Sequence, residues 1–234
     1  MFKTVHHKNV YYVYNDKFIS DLANCFNAEY WQHKNAVIGS AQGRGTTWFI
    51  QLPSLQVALR HYRRGGLFGK LVSDSYWFSN WKKARSIAEF HLLDMLKKSN
   101  VNVPKPIAAR VVKKGLFYQA DLLSEKIPNA KDLVDILQER ALSESEYHVI
   151  AKQIKKMHQI QVNHTDLNIH NILLDIQGCA WLIDFDKCYQ QDGQKWKEDN
   201  LKRLLRSFNK ELKKCNIHWC QDDWRLLLNA YHSS

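Results

Sequence analysis

The chain has 234 residues, 45% apolar and 24% charged, with a formal net charge of +11. That is enough apolar surface for one large domain or two small lobes, and it excludes a disordered chain. No apolar run is long enough to span a bilayer and residues Met1–His7 lack a signal-peptide core, so the expected place is the cytoplasm. Five cysteines, at 25, 179, 188, 215 and 220, form no CxxC pair and are expected as free thiols. The basic excess fits a solvated surface, a nucleic acid, an anionic membrane or an anionic substrate, and its sign alone does not choose among them.

In chain order, Val10–Tyr14 is predicted as a strand, and residues 17–34 as a helix on the four-residue spacing of Phe18, Leu22, Phe26 and Tyr30. Val37–Ile50 reads as strand, turn, strand, with Gly43 and Gly45 in the turn. Glycine there lets backbone N–H groups approach phosphate oxygens, although an ordinary hairpin turn uses glycine too. The spacing departs from G-x-G-x-x-G, so a dinucleotide fold gains no support. Leu55–Tyr62 is a strand whose alternation places Ala58, Arg60 and Tyr62 on one face. The basic tract ending at Lys70 is not a Walker A loop, because its glycine gap is wrong and Leu71 stands where Ser or Thr should bind Mg²⁺. It is either a solvated turn or an anion-binding surface.

Residues 77–98 are predicted as a helix with Arg85, Ala88, Glu89, Leu92, Leu93 and Leu96 on one stripe. A carboxylate buried on that stripe must find a cation, and Arg60 is the natural candidate. Ile107–Val112 and Leu116–Leu123 flank Lys113-Lys114-Gly115 as a hairpin, and residues 122–127 connect two lobes, 1–123 and 124–234. The first is sheet plus one helix; the second is mostly helical. Asp132–Arg140 is a short helix, and Ser143-x-x-Glu146 is a capping box opening a long one with Tyr147, Ile150, Ala151, Ile154 and Met157 inward. Residues 171–175 and 179–183 form a small hairpin about Gln177-Gly178. Leu201, Leu204, Leu205, Phe208 and Leu212, then Trp224, Leu227, Leu228 and Tyr231, mark two C-terminal helices. Cys215, His218 and Cys220 lack a second ligand pair and are thin support for zinc.

Chemistry concentrates in His164–Leu174 and in Leu182-Ile183-Asp184-Phe185-Asp186. Asp166, Asn171 and Asp184 carry hard oxygen donors at the ends of short apolar runs. Such donors suit Mg²⁺ and a phosphorylated nucleotide, with room for phosphate and water, and so point to a phosphotransferase.

His164-Thr165-Asp166 followed by Asn171 resembles the protein-kinase catalytic loop H-R-D-x-x-x-x-N, and Asp184-Phe185-Asp186 stands where D-F-G would be. The resemblance covers at least residues 37–190. It implies an α+β, bilobal protein-kinase-like fold: an N-terminal antiparallel sheet plus one helix that binds nucleotide, then a mostly helical catalytic lobe. More closely, Leu59–Leu67, Ala88–Leu93, Ala120–Leu123 and His164–Leu174 resemble the 3-deoxy-D-manno-octulosonic acid (Kdo) kinases of lipopolysaccharide inner-core synthesis. That family implies ATP- and Mg²⁺-dependent phosphorylation of a Kdo hydroxyl, at O-4, on Kdo–lipid A. It also implies peripheral attachment to the cytoplasmic face of the bacterial inner membrane.

By position, Asp166 resembles the catalytic base, Asn171 and Asp184 the Mg²⁺ ligands, and Glu89 the helix glutamate that steadies a cation on the third strand. Gly43 and Gly45 stand where the phosphate-covering loop belongs, and residues 122–127 where backbone groups meet adenine. Arginine replaces lysine at position 60, with Lys70 as an alternative; Asp186 replaces the last glycine of D-F-G; and Lys187–Asn200 holds no A-P-E segment for peptide docking. The missing A-P-E segment favours a small or lipid-linked acceptor. Arg63, Arg64 and Lys70 are candidates for its anionic groups, and Trp77 and Trp81 for an anionic membrane surface. No pattern indicates nucleic acid. Oligomeric state is not fixed by these features.

Overall fold

The computed structural model describes residues 2–43, 45–64 and 74–233. The chain divides into two compact units, Met1–Asp94 with Lys105–Lys126, and Met95–Pro104 with Ile127–Ser234. A single cut at 123 therefore does not describe it: the chain leaves the first unit within a helix, returns at Lys105, and leaves again after Lys126.

In the first unit the strands are β1 (Lys3–His7), β2 (Val10–Tyr14), β3 (Val37–Gln42), β4 (Thr46–Gln51), β5 (Gln56–His61), β6 (Tyr76–Trp77), β7 (Pro106–Lys114) and β8 (Phe117–Glu125); the helices are α1 (Ala28–His33) and α2 (Arg85–Lys98), whose last turn belongs to the second unit. All strand pairs are antiparallel, in the order β1-β2-β7-β8-β5-β4-β3, with β6 also on β8. Gly115, at φ 62, makes the tight turn between β7 and β8. On β5, Val57 and Leu59 point into a core with Ile19, Phe26, Ile50, Ile107 and Leu123. Alternation then turns Ala58 and Arg60 to the other face. Asp121 of β8 is 3% exposed and lies in register with both His61 and Arg110. It accepts from Arg110 Nε at 2.8 Å and meets His61 Nδ1 at 2.7 Å. Its carboxylate beside His61 raises that imidazole's pKa, against the opposing effect of burial.

Two predicted helices are shorter than expected. Only Ala28–His33 of residues 17–34 is α-helical. Asn15 and Asp21 side chains accept from Lys17 N and Asn24 N, and such local bonds compete with the helical ladder. Ile19 and Phe26 are buried all the same. Likewise residues 77–84 are not α-helical: Tyr76–Trp77 pairs with β8 and Asn80 Oδ1 accepts from Lys83 N, so α2 starts only at Arg85. Its inward positions include Ile87 and Phe90 at 0% exposure, while Ala88 is exposed.

The second unit holds β9 (Lys131–Asp132), α3 (Leu133–Glu139), α4 (Glu144–Gln159), β10 (Val162–Asn163), β11 (Ile172–Leu174), β12 (Ala180–Leu182), β13 (Tyr189–Gln190), α5 (Lys195–Cys215) and α6 (Gln221–Ser233). Ser143 and Glu146 form the reciprocal capping box, with Arg140 forked onto the Glu146 carboxylate at 2.6 and 2.9 Å. The amphipathic α4 buries Tyr147, Ile150, Ala151, Ile154 and Met157, and packs on α6. β11 and β12 pair as a hairpin, with β9 on the other edge of β11. Among the described residues no helix is long and apolar enough to cross a membrane.

Candidate active site

In the first unit, Arg60 leaves β5 on the face turned to α2, where Glu89 is 4% exposed. Arg60 Nη2 lies 2.5 Å from both oxygens of that carboxylate, and Tyr62 Oη also donates to it. A carboxylate this deep is sustained by the cation and hydroxyl together. Arg60 retains 27% side-chain exposure, so its guanidinium can meet a second anion. Gly43 N donates to Gly45 O at 3.0 Å, so that N–H must leave its partner before it can meet a phosphate. A Cβ at Gly45 would lie 2.8 Å from Cδ of Arg63, which packs against the turn's backbone. Lys70 lies outside the described residues.

In the second unit, His164 follows β10 with 0% exposure. Its Nε2 meets Ile183 O at 3.0 Å, and its Nδ1 accepts from Asp166 N at 3.3 Å. Those partners assign the proton to Nε2 in a neutral ring. Burial holds the pKa below the ordinary histidine value, against the carbonyl of Ile183, which favours charge. Phe185, also 0% exposed, packs on this imidazole with ring centroids 4.8 Å apart. One histidine thus ties the 164–171 loop to the segment carrying Asp184.

Asn168 Nδ2 and Asn171 Nδ2 both donate to Asp166 O, at 2.9 and 3.0 Å. This clamp spends the Asn171 amide nitrogen and leaves its Oδ1 as an acceptor. The Asn171 carbonyl in turn accepts from Ile183 N at 3.0 Å, next to Asp184. Asp184 has φ 60, a left-handed conformation that is costly for a non-glycine residue. The Asp166 carboxylate remains 48% exposed, with Arg203 Nη1 at 3.3 Å from Oδ1. Nothing in the sequence marks Arg203: it is one of many cations on α5, 37 residues from its partner.

The structure therefore joins Asp166, Asn171 and the Asp184 segment by direct bonds in one unit, and Arg60 to Glu89 in the other. Among the described residues no group of three or more His, Cys, Asp and Glu side chains is arranged to hold a metal by itself. An Asn171 oxygen and an Asp184 carboxylate are a sparse, hard donor pair. That fits Mg²⁺, which keeps waters and takes further oxygens from nucleotide phosphates rather than a full protein cage.

Comparison with known proteins agrees with this chemistry. Residues 28–231 match the lipopolysaccharide kinase (Kdo/WaaP) family. The chain is 60% identical over 222 residues to a 3-deoxy-D-manno-octulosonic acid kinase of Vibrio vulnificus, covering 94% of each chain. It is 60% identical over 212 residues to the Vibrio cholerae protein of that name, covering 91% of this chain and 90% of that one. The Haemophilus influenzae (strain PittGG) protein is 49% identical over 233 residues, covering 96% and 97%. Among solved structures, the Cydia pomonella granulovirus kinase PK-1 aligns over 70% of this chain and 56% of that one, with a TM-score of 0.45 and 12% identity.

Proposed function

We propose that this chain, which belongs to the lipopolysaccharide kinase (Kdo/WaaP) family, phosphorylates the 4-hydroxyl of a Kdo residue on Kdo–lipid A with ATP as donor. Its α+β fold is protein-kinase-like, and family membership makes it a Kdo kinase, a phosphotransferase with a sugar hydroxyl as acceptor.

Asp166 takes the role of the base that orients the acceptor hydroxyl and receives its proton. Asn168 and Asn171 fix the backbone of that residue, which holds the carboxylate in place without covering it. Asn171 Oδ1 and the Asp184 carboxylate would hold Mg²⁺, which when bound neutralises nucleotide phosphates. Arg60, kept in place by Glu89 and 27% exposed along its side chain, would meet phosphate, with Gly43 and Gly45 over it. The observation that carries this reading is the half-exposed Asp166 carboxylate on a backbone held by the amides of Asn168 and Asn171.

Attachment to an anionic membrane surface is supported by an apolar patch on the first unit. Trp77, Leu116 and Phe117 are 62%, 64% and 42% exposed and adjacent through the β6–β8 pairing. Lys82, Lys83 and Lys114 are exposed beside them in sequence. Aromatic side chains flanked by lysine suit a lipid headgroup region. This is consistent with peripheral binding at the inner membrane's cytoplasmic face.

The decisive assay is phosphate transfer from labelled ATP with Mg²⁺ to Kdo–lipid A, wild type beside Asp166→Ala. Transfer by both, or by neither while another acceptor is phosphorylated, overturns the reading. A product phosphorylated at a hydroxyl other than O-4 overturns the positional claim alone. Pelleting with anionic vesicles should weaken in Trp77→Ser/Leu116→Ser and be reversed by salt. Equal pelleting by the variant removes the patch from the account.

A further inference from the structure

The acceptor of a Kdo kinase is a sugar acid, and a charged acceptor needs a cation near the transferring hydroxyl. Next to the loop of Asp166, wholly within the second unit, is a concavity of about 370 Å³ lined in part by Thr165, Tyr189, Gln191, Asp199, Arg203 and Arg206. That volume suits one monosaccharide rather than a lipid. We propose that this concavity is the acceptor subsite and that Arg203 and Arg206 hold the sugar's carboxylate while its hydroxyl meets Asp166. The proposal rests on the Kdo kinase reading and assigns its acceptor site.

Asp199, Arg203 and Arg206 are spaced four and three residues apart, on the side of α5 away from buried Leu201, Leu204 and Phe208. Arg203 reaches Asp166 through one Nη1 atom at 3.3 Å, so the rest of its guanidinium fork is left for another anion. Arg206 is exposed and has no carboxylate partner among the described residues. Two arginines against Asp199 leave the lining with net positive charge. The floor is built rather than fluid: Asn200 Nδ2 donates to Asn163 Oδ1 at 2.8 Å, and Asn163 Nδ2 donates to Gln191 Oε1 at 2.7 Å. Asn200 Oδ1 also accepts from His164 N at 3.2 Å, which fixes this floor to the start of the Asp166 loop. Tyr189, 51% exposed, offers an aromatic face of the kind on which sugar rings pack. A carboxylate drawn onto the arginines also competes with Asp166 for Arg203, which frees the Asp166 carboxylate for the hydroxyl.

The test is steady-state kinetics with Kdo–lipid A, with its Kdo carboxylates converted to carboxamides, and with its lipid phosphates removed. Arg206→Ala should raise the acceptor KM about 10- to 100-fold, with ATP KM and melting temperature unchanged, and Arg206→Lys should recover part of the loss. On the carboxamide, wild type and Arg206→Ala should be equal. Three outcomes overturn the proposal: an acceptor KM within twofold of wild type, an equal loss on acid and carboxamide, or a loss erased by removing lipid phosphates instead. Absence of any wild-type transfer to a Kdo acceptor overturns the enzyme reading itself, and is read before any variant is compared.

Discussion

The two units treat their key carboxylates in opposite ways. Glu89 is buried and saturated by a strong cation and a tyrosine hydroxyl, so its charge is committed to structure. Asp166 is half exposed and accepts from Arg203 Nη1 at 3.3 Å, a contact that an acceptor anion can compete away, while neutral amides hold its backbone. Histidines differ in parallel. In the first unit His61 is held toward its charged form by Asp121; in the second, His158 and His164 are kept neutral by burial. The contrast separates residues whose loss should unfold the protein from those whose loss should only silence it.

The largest expected effect is at Asp166. Asp166→Ala should lower kcat by about 10³-fold, the scale of general-base loss, while its melting temperature stays near wild type because the side chain is half exposed. A fall in melting temperature comparable to that of Arg60→Ala would erase the contrast. Arg60→Ala should destabilise the fold by about 3–5 kcal/mol in urea titration, since it removes a guanidinium from the buried Glu89 carboxylate. The double variant Arg60→Met/Glu89→Leu should regain most of that stability without regaining activity, separating the pair's two roles.

Acid should act first on the second unit. Burial holds His158 down to about 4, well below its ordinary value. A depressed pKa gives stability that is full above about pH 6.5 and is lost as pH falls toward about 4. For His158 the loss amounts to about 3 kcal/mol at most. His158→Gln should flatten that acid limb in pH-dependent unfolding. His61 has the reverse sign: its raised pKa gives stability that is present at low pH and lost as pH rises through the raised value, so His61→Gln should flatten the neutral-to-alkaline side. A shared pH profile for both variants would remove the distinction. The smallest effect is Ser143→Ala, about 1 kcal/mol from loss of the helix cap, with unchanged kcat.

Much of the site is legible in the amino-acid sequence. The spacings His164-x-Asp166 to Asn171 and Asp184-Phe185 are covalent, local and carry their own chemistry. The capping box at Ser143 is equally local, and its geometry follows from the same four residues. The Arg60–Glu89 pair is legible through two periodicities, strand alternation on one side and helical stripe on the other. Residues 17–27 carry a helical apolar pattern without forming α-helix, and the helix expected over 77–98 begins only at Arg85, where its stripe begins. Apolar spacing of four also arises when turns bury side chains against a sheet, and Asn and Asp compete there for backbone N–H groups.

The sequence by itself determined the residue types able to do kinase chemistry, their order, and the pairing of a strand cation with a helix carboxylate, because each depends on neighbours a few residues apart or on a regular period. Tertiary structure alone decided three things. It placed Phe185 against His164, joining two motifs through one neutral ring. It interleaved the units, returning Met95–Pro104 to the second. It also brought Arg203 to Asp166 across 37 residues of chain. Each depends on how separate elements pack, and no local periodicity encodes which face of one helix will meet which loop.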